Sequence, residues 1–226
     1  MSEWWTYGPS DFLLFSPRTY YRLFELYNRE IWPAQIASLG VGLAMLALLR
    51  RRGIQPGRVV AAMLAGCWLW VAWVFHFQRY ATINWAATYF ALAFAVEALL
   101  LISTGIVRGR LTFQPGPDAA QRTGLGVVAF AIGVMPLIAP LAGRYWVQAE
   151  VFGVAPDPTA IATLGVLLAA ERPLWGLLAI PLLWCALSGA TLWTMGSPEA
   201  LTQLLVSLLV LLAVRKTASL RKERAP

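Results

Sequence analysis

The sequence predicts an all-α, polytopic transmembrane bundle of about seven helices, two of them short, preceded by an amphipathic interfacial helix. Three observations predict it. The 226 residues are 59% apolar and 13% charged, against about 45–50% and about 25% in soluble domains. Five stretches, 31–49, 59–77, 85–107, 124–141 and 174–194, reach the roughly 17–25 residues that cross about 30 Å of hydrocarbon. Lipid also forbids an open sheet, because each unpaired backbone group there costs several kcal/mol. Together with a mean hydropathy of +0.63, these exclude a water-soluble domain, disorder and collagen.

Residues 1–30 read as an N-terminal interfacial segment, 31–214 as the bundle and 215–226 as a basic cytoplasmic tail. Met1 to Asp11 lacks a basic start and an apolar core, so no cleaved signal is expected. Over 16–30, Ser16 caps and Pro17 starts a helix. Arg18, Arg22, Glu25 and Arg29 form one polar stripe, and Tyr20, Phe24, Tyr27 and Ile31 form the opposite one. Such an aromatic amphipathic helix lies in the membrane interface.

Gly53, Pro56 and Gly57 separate the first two spans, and Pro115, Gly116 and Pro117 mark a loop over 108–124. The segments 158–170 and 199–214 are too short for comfortable spans. Pro158 suits the first position of the former helix, with Asp157 as its cap. Ser197, Pro198 and Glu199 open the latter. Pro136, Pro140 and Pro181 should kink their spans, and Gly40, Gly42 and Gly189 suit close helix approach. Trp32, Trp85, Trp146 and Trp193 fall near span ends, where indoles form interfacial belts, whereas Trp68 and Trp70 lie deeper.

Orientation follows from Lys and Arg in short loops. Thirteen of the 18 basic residues follow the first, third and fifth spans or lie in the tail; Arg18, Arg22, Arg29, Arg79 and Arg144 occupy the other side. Seven crossings then place the N-terminus in the periplasm and the C-terminus in the cytoplasm of a bacterial inner membrane. The net charge of +7 thus reads as topology and contact with anionic lipids, with no role for nucleic acid.

Several chemistries are missing. Lys216 and Lys222 are the only lysines and both lie in the tail, which excludes a retinal Schiff base in the bundle. His76 is the single histidine, so bis-histidine haem ligation within the chain is excluded. Cys67 and Cys185 show no disulfide or metal-knuckle spacing. No G-x-S-x-G, H-E-x-x-H, C-x-x-C-H or phosphate loop occurs. No cofactor is identified.

What remains is a sparse set of polar groups. Glu97 lies about 18 Å along the third span, where a carboxylate must face protein or water or be protonated. It is read as a proton or cation relay, or as a neutral acid tying two helices together. His76, at the outer end of the second span, is read as an outer-face gate or ligand, or as an interfacial histidine bonded to a carbonyl. The loop 145–159 carries Gln148, Glu150, Gly153 and Asp157 before a short helix, the arrangement that frames sites in discontinuous transporter helices.

Five pieces in order resemble one bacterial family, the domain of unknown function 6064. They are Tyr27-Asn28 with Trp32-Pro33-Ala34-Gln35; His76 with Ile83-Asn84 and Tyr89-Phe90; Phe152-Gly153 with Pro156; Pro158-Thr159 with Gly165; and Ile180-Pro181-Leu182-Leu183-Trp184 with Gly189. The resemblance spans about Phe15 to Val214 and implies a polytopic membrane protein without assigning an activity. Where that family often has cysteine between the two prolines, this chain has Asp157, so no thiol-dependent metal or redox role carries over. The resemblance directs attention to Asn28, Gln35, His76, Asn84, Asp157 and Thr159.

The expectation is a polar ligand-binding pocket in the outer half of the bundle, lined by Asn28, His76, Asn84 and Asp157 with Gln35 and Thr159 nearby and Glu97 deeper. It would serve a small transporter, channel or binding protein for an ion or small solute. The alternative is a non-catalytic accessory or assembly subunit of a larger respiratory or photosynthetic membrane complex. A homo-oligomer fits either. An intramembrane enzyme lacks any visible nucleophile–base pair.

Overall fold

The computed structural model describes residues 14–114, 119–197 and 199–223. The motif Pro115 to Pro117, Pro198, and Met1 to Asp11 lie outside the described residues. The described chain is helical, with one isolated bridge between Gly53 and Phe113.

Helix α1 runs Pro17–Glu30, with the Ser16 hydroxyl accepting from Thr19 N at 3.1 Å and Pro17 in its first turn. Its predicted faces hold. Tyr20, Phe24 and Tyr27 are buried, while Glu25 pairs with Arg22 at 2.5 Å and Arg29 at 2.8 Å. The hydrogen bond from Arg22 and the charge of both arginines hold the Glu25 carboxyl below its usual range.

Next come α2 (Ala34–Leu48) and α3 (Ile54–Trp70), which continues as a π-helix over Val71–Phe77. Helix α4 (Ala87–Leu101) likewise continues over Ile102–Val107. Then follow α5 (Ala119–Gly133), α6 (Met135–Leu141), α7 (Pro156–Ala169), α8 (Trp175–Thr194) and α9 (Ala200–Glu223).

Four of these rods are long and apolar enough to cross a membrane, and six if each of two bent pairs counts as one span. The helix Pro156–Ala169 is a further, shorter apolar rod beside them, so the expected count of about seven includes one helix that falls below the length of a full span. The predicted span 31–49 is α2, and α1 meets it at 89° near Trp32 and Pro33, where the interfacial segment was expected to end. The span 124–141 breaks between α5 and α6 by 48°, next to Pro136, whose ring cannot continue the hydrogen-bond ladder. The last helix is not short: the 18 residues Ala200–Thr217 are long and apolar enough on average to cross a membrane.

Of the two helices expected to be short only α7 is, and every one of its 14 residues is buried. Protein rather than lipid surrounds it, so bilayer thickness does not set its length. Its tightest neighbour is α5. A Cβ on Gly165 would lie 2.8 Å from Gly124 O, and one on Gly124 would lie 2.7 Å from Ala169 N. Of the glycines expected at close contacts, Gly42 faces Ile132 and Phe152, and Gly189 faces Leu204, whereas Gly40 faces open space. The outer flanks of α2, α4, α8 and α9 expose Leu43, Leu92, Leu99, Leu183, Leu205 and Leu212. Trp32, Trp85, Trp146 and Trp193 are exposed near helix ends and Trp68 is buried, as belt and core positions require.

The loops gather at two ends in the grouping that the arginines predict. At the basic end Gly53 bridges Phe113, and Glu171 N donates to Thr112 O at 2.9 Å. At the other end Asn28 donates to the carbonyls of Val147 and Ala149, Arg79 pairs with Glu30, and Arg144 pairs with Glu199.

Candidate functional site

The loop before α7 plunges into the bundle. Phe152 is fully buried against the space left by Gly42. The Ser38 hydroxyl of α2 donates to Phe152 O, and Tyr27 OH donates to Val154 O at 2.7 Å. Gly153 sits at φ +80 with Ser38 and Cys67 pressed against it, a position with neither the torsion nor the room for a side chain. Thr159 closes the turn, accepting from Gly153 N at 2.9 Å and donating to Ala155 O at 2.6 Å. These partners satisfy the loop so far from bulk water, as a buried backbone requires.

Helix α7 starts at Pro156 rather than Pro158, and its cap position is Ala155, which has no side-chain cap. The expected capping role of Asp157 is thus corrected: its carboxylate turns away from the helix end toward α8 and α9. Oδ1 accepts from Trp184 Nε1 at 2.8 Å. Oδ2 accepts from Ser188 Oγ and Gln203 Nε2, each at 2.7 Å. Asp157 is 1% exposed, and three donors compensate a charge that could not otherwise be buried. Trp184→Phe keeps one aromatic ring in place, loses the contacts of the other and deletes one donor. It is expected to lower stability in detergent unfolding by about 1.5–3 kcal/mol, the range for hydrogen bonds to charged groups.

Two cavities flank this cluster. One of about 220 Å³ is lined by Trp184, Ser188 and Asn84 with Tyr20, Tyr80 and Phe90. The other, of about 20 Å³, is lined by Asp157, Gln203, Glu150, Arg144 and Glu199 among others. Arg144 also stacks over Tyr21, its guanidinium 4.1 Å from the ring centroid. Burial, and then the Asp157 charge, push Glu150 well above the usual carboxylate range.

The single pocket expected from the sequence is not formed; its members separate. Asn28 and Gln35 form a strap, with Gln35 Nε2 donating to Asn28 O at 2.8 Å and Asn28 holding the loop after α6. Asn84 reaches the larger cavity while its Oδ1 accepts from Ala86 N at 3.0 Å.

His76 is fully buried among aromatic rings, nearest Phe94 at 4.5 Å and Trp184 at 4.9 Å, with no hydrogen bond to either nitrogen. It lines none of the described cavities. The outer-face ligand role is therefore corrected, and the carbonyl-bonded alternative is not found. His76 stands on the π-helical stretch Val71–Phe77. Glu97 is also fully buried, and neither of its carboxylate oxygens has a partner. The tie to a neighbouring helix is thus not made. Phe94, one turn before Glu97, packs on Trp68, His76 and Trp184.

Trp184, Ser188 and Gln203 were not singled out as site residues by the sequence. A signal exists: Trp184 and Ser188 stand four apart on one face of α8, and Gln203 is a lone amide in an apolar helix. No group of three or more His, Cys, Asp or Glu side chains is placed to hold a metal ion among the described residues.

No curated protein and no solved structure matches the chain. One family model, described as a family of unknown function (DUF6064), matches residues 18–224. An all-helical membrane bundle built around a sheathed α7 is thus the architecture of a member of the DUF6064 family, to which this chain belongs.

Proposed function

We propose that the protein is a small transporter or channel of the bacterial inner membrane, with Asp157 as the group that takes up the transported ion or small solute. One observation carries this reading. A carboxylate 1% exposed sits at the start of a protein-sheathed half-length helix, with one cavity against its donors and another against the carboxylate itself. Ionisable groups held at such depth are costly and mark ion or substrate paths, and a helix that begins inside the bundle is the frame on which transporters build sites. Thirteen basic residues at one end favour a periplasmic N-terminus and a cytoplasmic C-terminus.

The test is flux in proteoliposomes of purified protein under an imposed ion gradient. Asp157→Asn keeps the size of the side chain and removes the charge; its NH₂ can meet the Ser188 hydroxyl and a turned-over Gln203 carbonyl. It is expected to cut flux at least about a hundredfold. Flux at the wild-type rate in the Asn variant would overturn the reading.

A further inference from the structure

The partners of Asp157 differ in kind. The Trp184 indole nitrogen only donates, so Oδ1 is occupied whatever the charge on Asp157. The Ser188 hydroxyl both donates and accepts, and the Gln203 amide presents either NH₂ or C=O. In the observed arrangement Gln203 gives NH₂ to Oδ2, which leaves its own Oε1 without a partner in a side chain 2% exposed. Turned over, that Oε1 would accept a hydrogen bond from a protonated Asp157. Two small rotations, of a hydroxyl and an amide, thus serve both protonation states.

A metal cation has no such fit. Three donors leave the Asp157 carboxylate about one of its four acceptor positions, enough to take a proton but not to gather the several oxygen ligands a metal ion needs. The adjoining cavity also contains the Arg144 guanidinium, paired with Glu199.

The small cavity adds a second element. Its volume of about 20 Å³ suits one water molecule. Two of its lining side chains carry buried acceptor atoms without partners, Glu150 Oε2 and Gln203 Oε1. Both atoms lack a donor, and a water has two O–H groups to give.

We propose that the ion this protein moves is the proton, and that Asp157 and Glu150 exchange it through a single water in the cavity that both line. In the inward step Glu150 gives a proton to that water as the water gives one to the Asp157 carboxylate. The water is regenerated, one proton is transferred and no electrons move. Gln203 then turns its carbonyl to the new Asp157 hydroxyl. The charged and titratable groups around the pair are Arg144 and Glu199 across the small cavity, Tyr20 and Tyr80 at the larger one, and Cys185 on α8. His76 stands behind the Trp184 ring.

The inference rests on the transport reading, and the experiment separates the two. In lipid nanodiscs, infrared difference spectra between acid and alkaline states are expected to show a protonated-carboxyl C=O band. That band should shift with isotope-labelled aspartate and vanish in Asp157→Asn. In proteoliposomes, Glu150→Gln is expected to slow proton flux about a hundredfold, the low end for a positioned proton-transfer group, with partial rescue by Glu150→Asp. Exchange of Na⁺ and K⁺ for choline on both sides should leave wild-type flux unchanged. In an Asp11→Asn, Asp118→Asn background Asp157 is the only labelled aspartate, so the band is assigned even if Asp157→Asn fails to fold. An aspartate band without flux would uphold the proton site and overturn transport. Flux that requires Na⁺ or K⁺, or a labelled protein with no titrating aspartate band, would overturn the proton assignment.

Discussion

Gly165→Leu is expected to leave no folded bundle. Gly165 lies where α7 crosses α5, and even a Cβ there would sit 2.8 Å from Gly124 O, 2.8 Å from Val128 Cγ2 and 2.9 Å from Val128 N. Two of those three atoms are backbone and cannot swing aside. A leucine would force the helices apart, opening the most buried element of the molecule. Overpacking of a dense core costs about 1–3 kcal/mol and occasionally more; with backbone as the obstacle the loss should exceed about 3 kcal/mol. The measurement is the monodisperse fraction in size-exclusion chromatography after detergent extraction, expected to collapse. Gly126→Leu, on the open face of α5 with nothing within 4 Å, is the paired control and should extract like wild type. Equal recovery of both variants would refute the packing argument.

Arg144→Ala should produce the next largest loss. The guanidinium pairs with Glu199 and stacks on Tyr21, joining the loop after α6 to α9 and α1. The two side chains are 15% and 10% exposed. Removing one partner of a fully buried pair costs about 3–5 kcal/mol, because the other charge is left uncompensated. The residual exposure here lowers the expectation to about 2–3 kcal/mol, read as a drop in unfolding midpoint in detergent. Arg144→Lys should recover only part, since an ammonium lacks the planar fork and the stacking face. The swap Arg144→Glu with Glu199→Arg should recover more than either single change. An Arg144→Ala midpoint equal to wild type would show that water, not Arg144, satisfies Glu199.

Local rules made much of the architecture readable in advance. Ser16 and Pro17 start α1 where a hydroxyl cap and a helix-opening proline should. The Arg22, Glu25 and Arg29 stripe pairs as helical spacing requires. The arginine-rich loops meet at one end of the bundle and the arginine-poor loops at the other. Each of these depends on neighbours a few residues apart or on charge summed over a loop. The 158–170 helix was also recognisable as short, though not the reason for its shortness.

The site was legible only in part. Asp157 and Thr159 stand out as polar residues between prolines, but the three donors to Asp157 come from 27 to 46 positions away. Nothing in Trp184, Ser188 or Gln203 by itself announces a shared partner. His76 was read from its position at the end of a span, which does not say which way its ring faces; packing against Phe75, Phe94 and Trp184 closes it off.

Composition and charge, then, were enough to determine a membrane bundle and which of its loops lie together, because lipid admits so few backbone solutions. Which side chains converge on Asp157, that α7 is clothed in protein, and that His76 and Glu97 are buried without polar partners were decided by tertiary packing alone. Such contacts depend on how helices distant in sequence rotate and approach, and small residues such as Gly124 and Gly165 control that approach by what they omit.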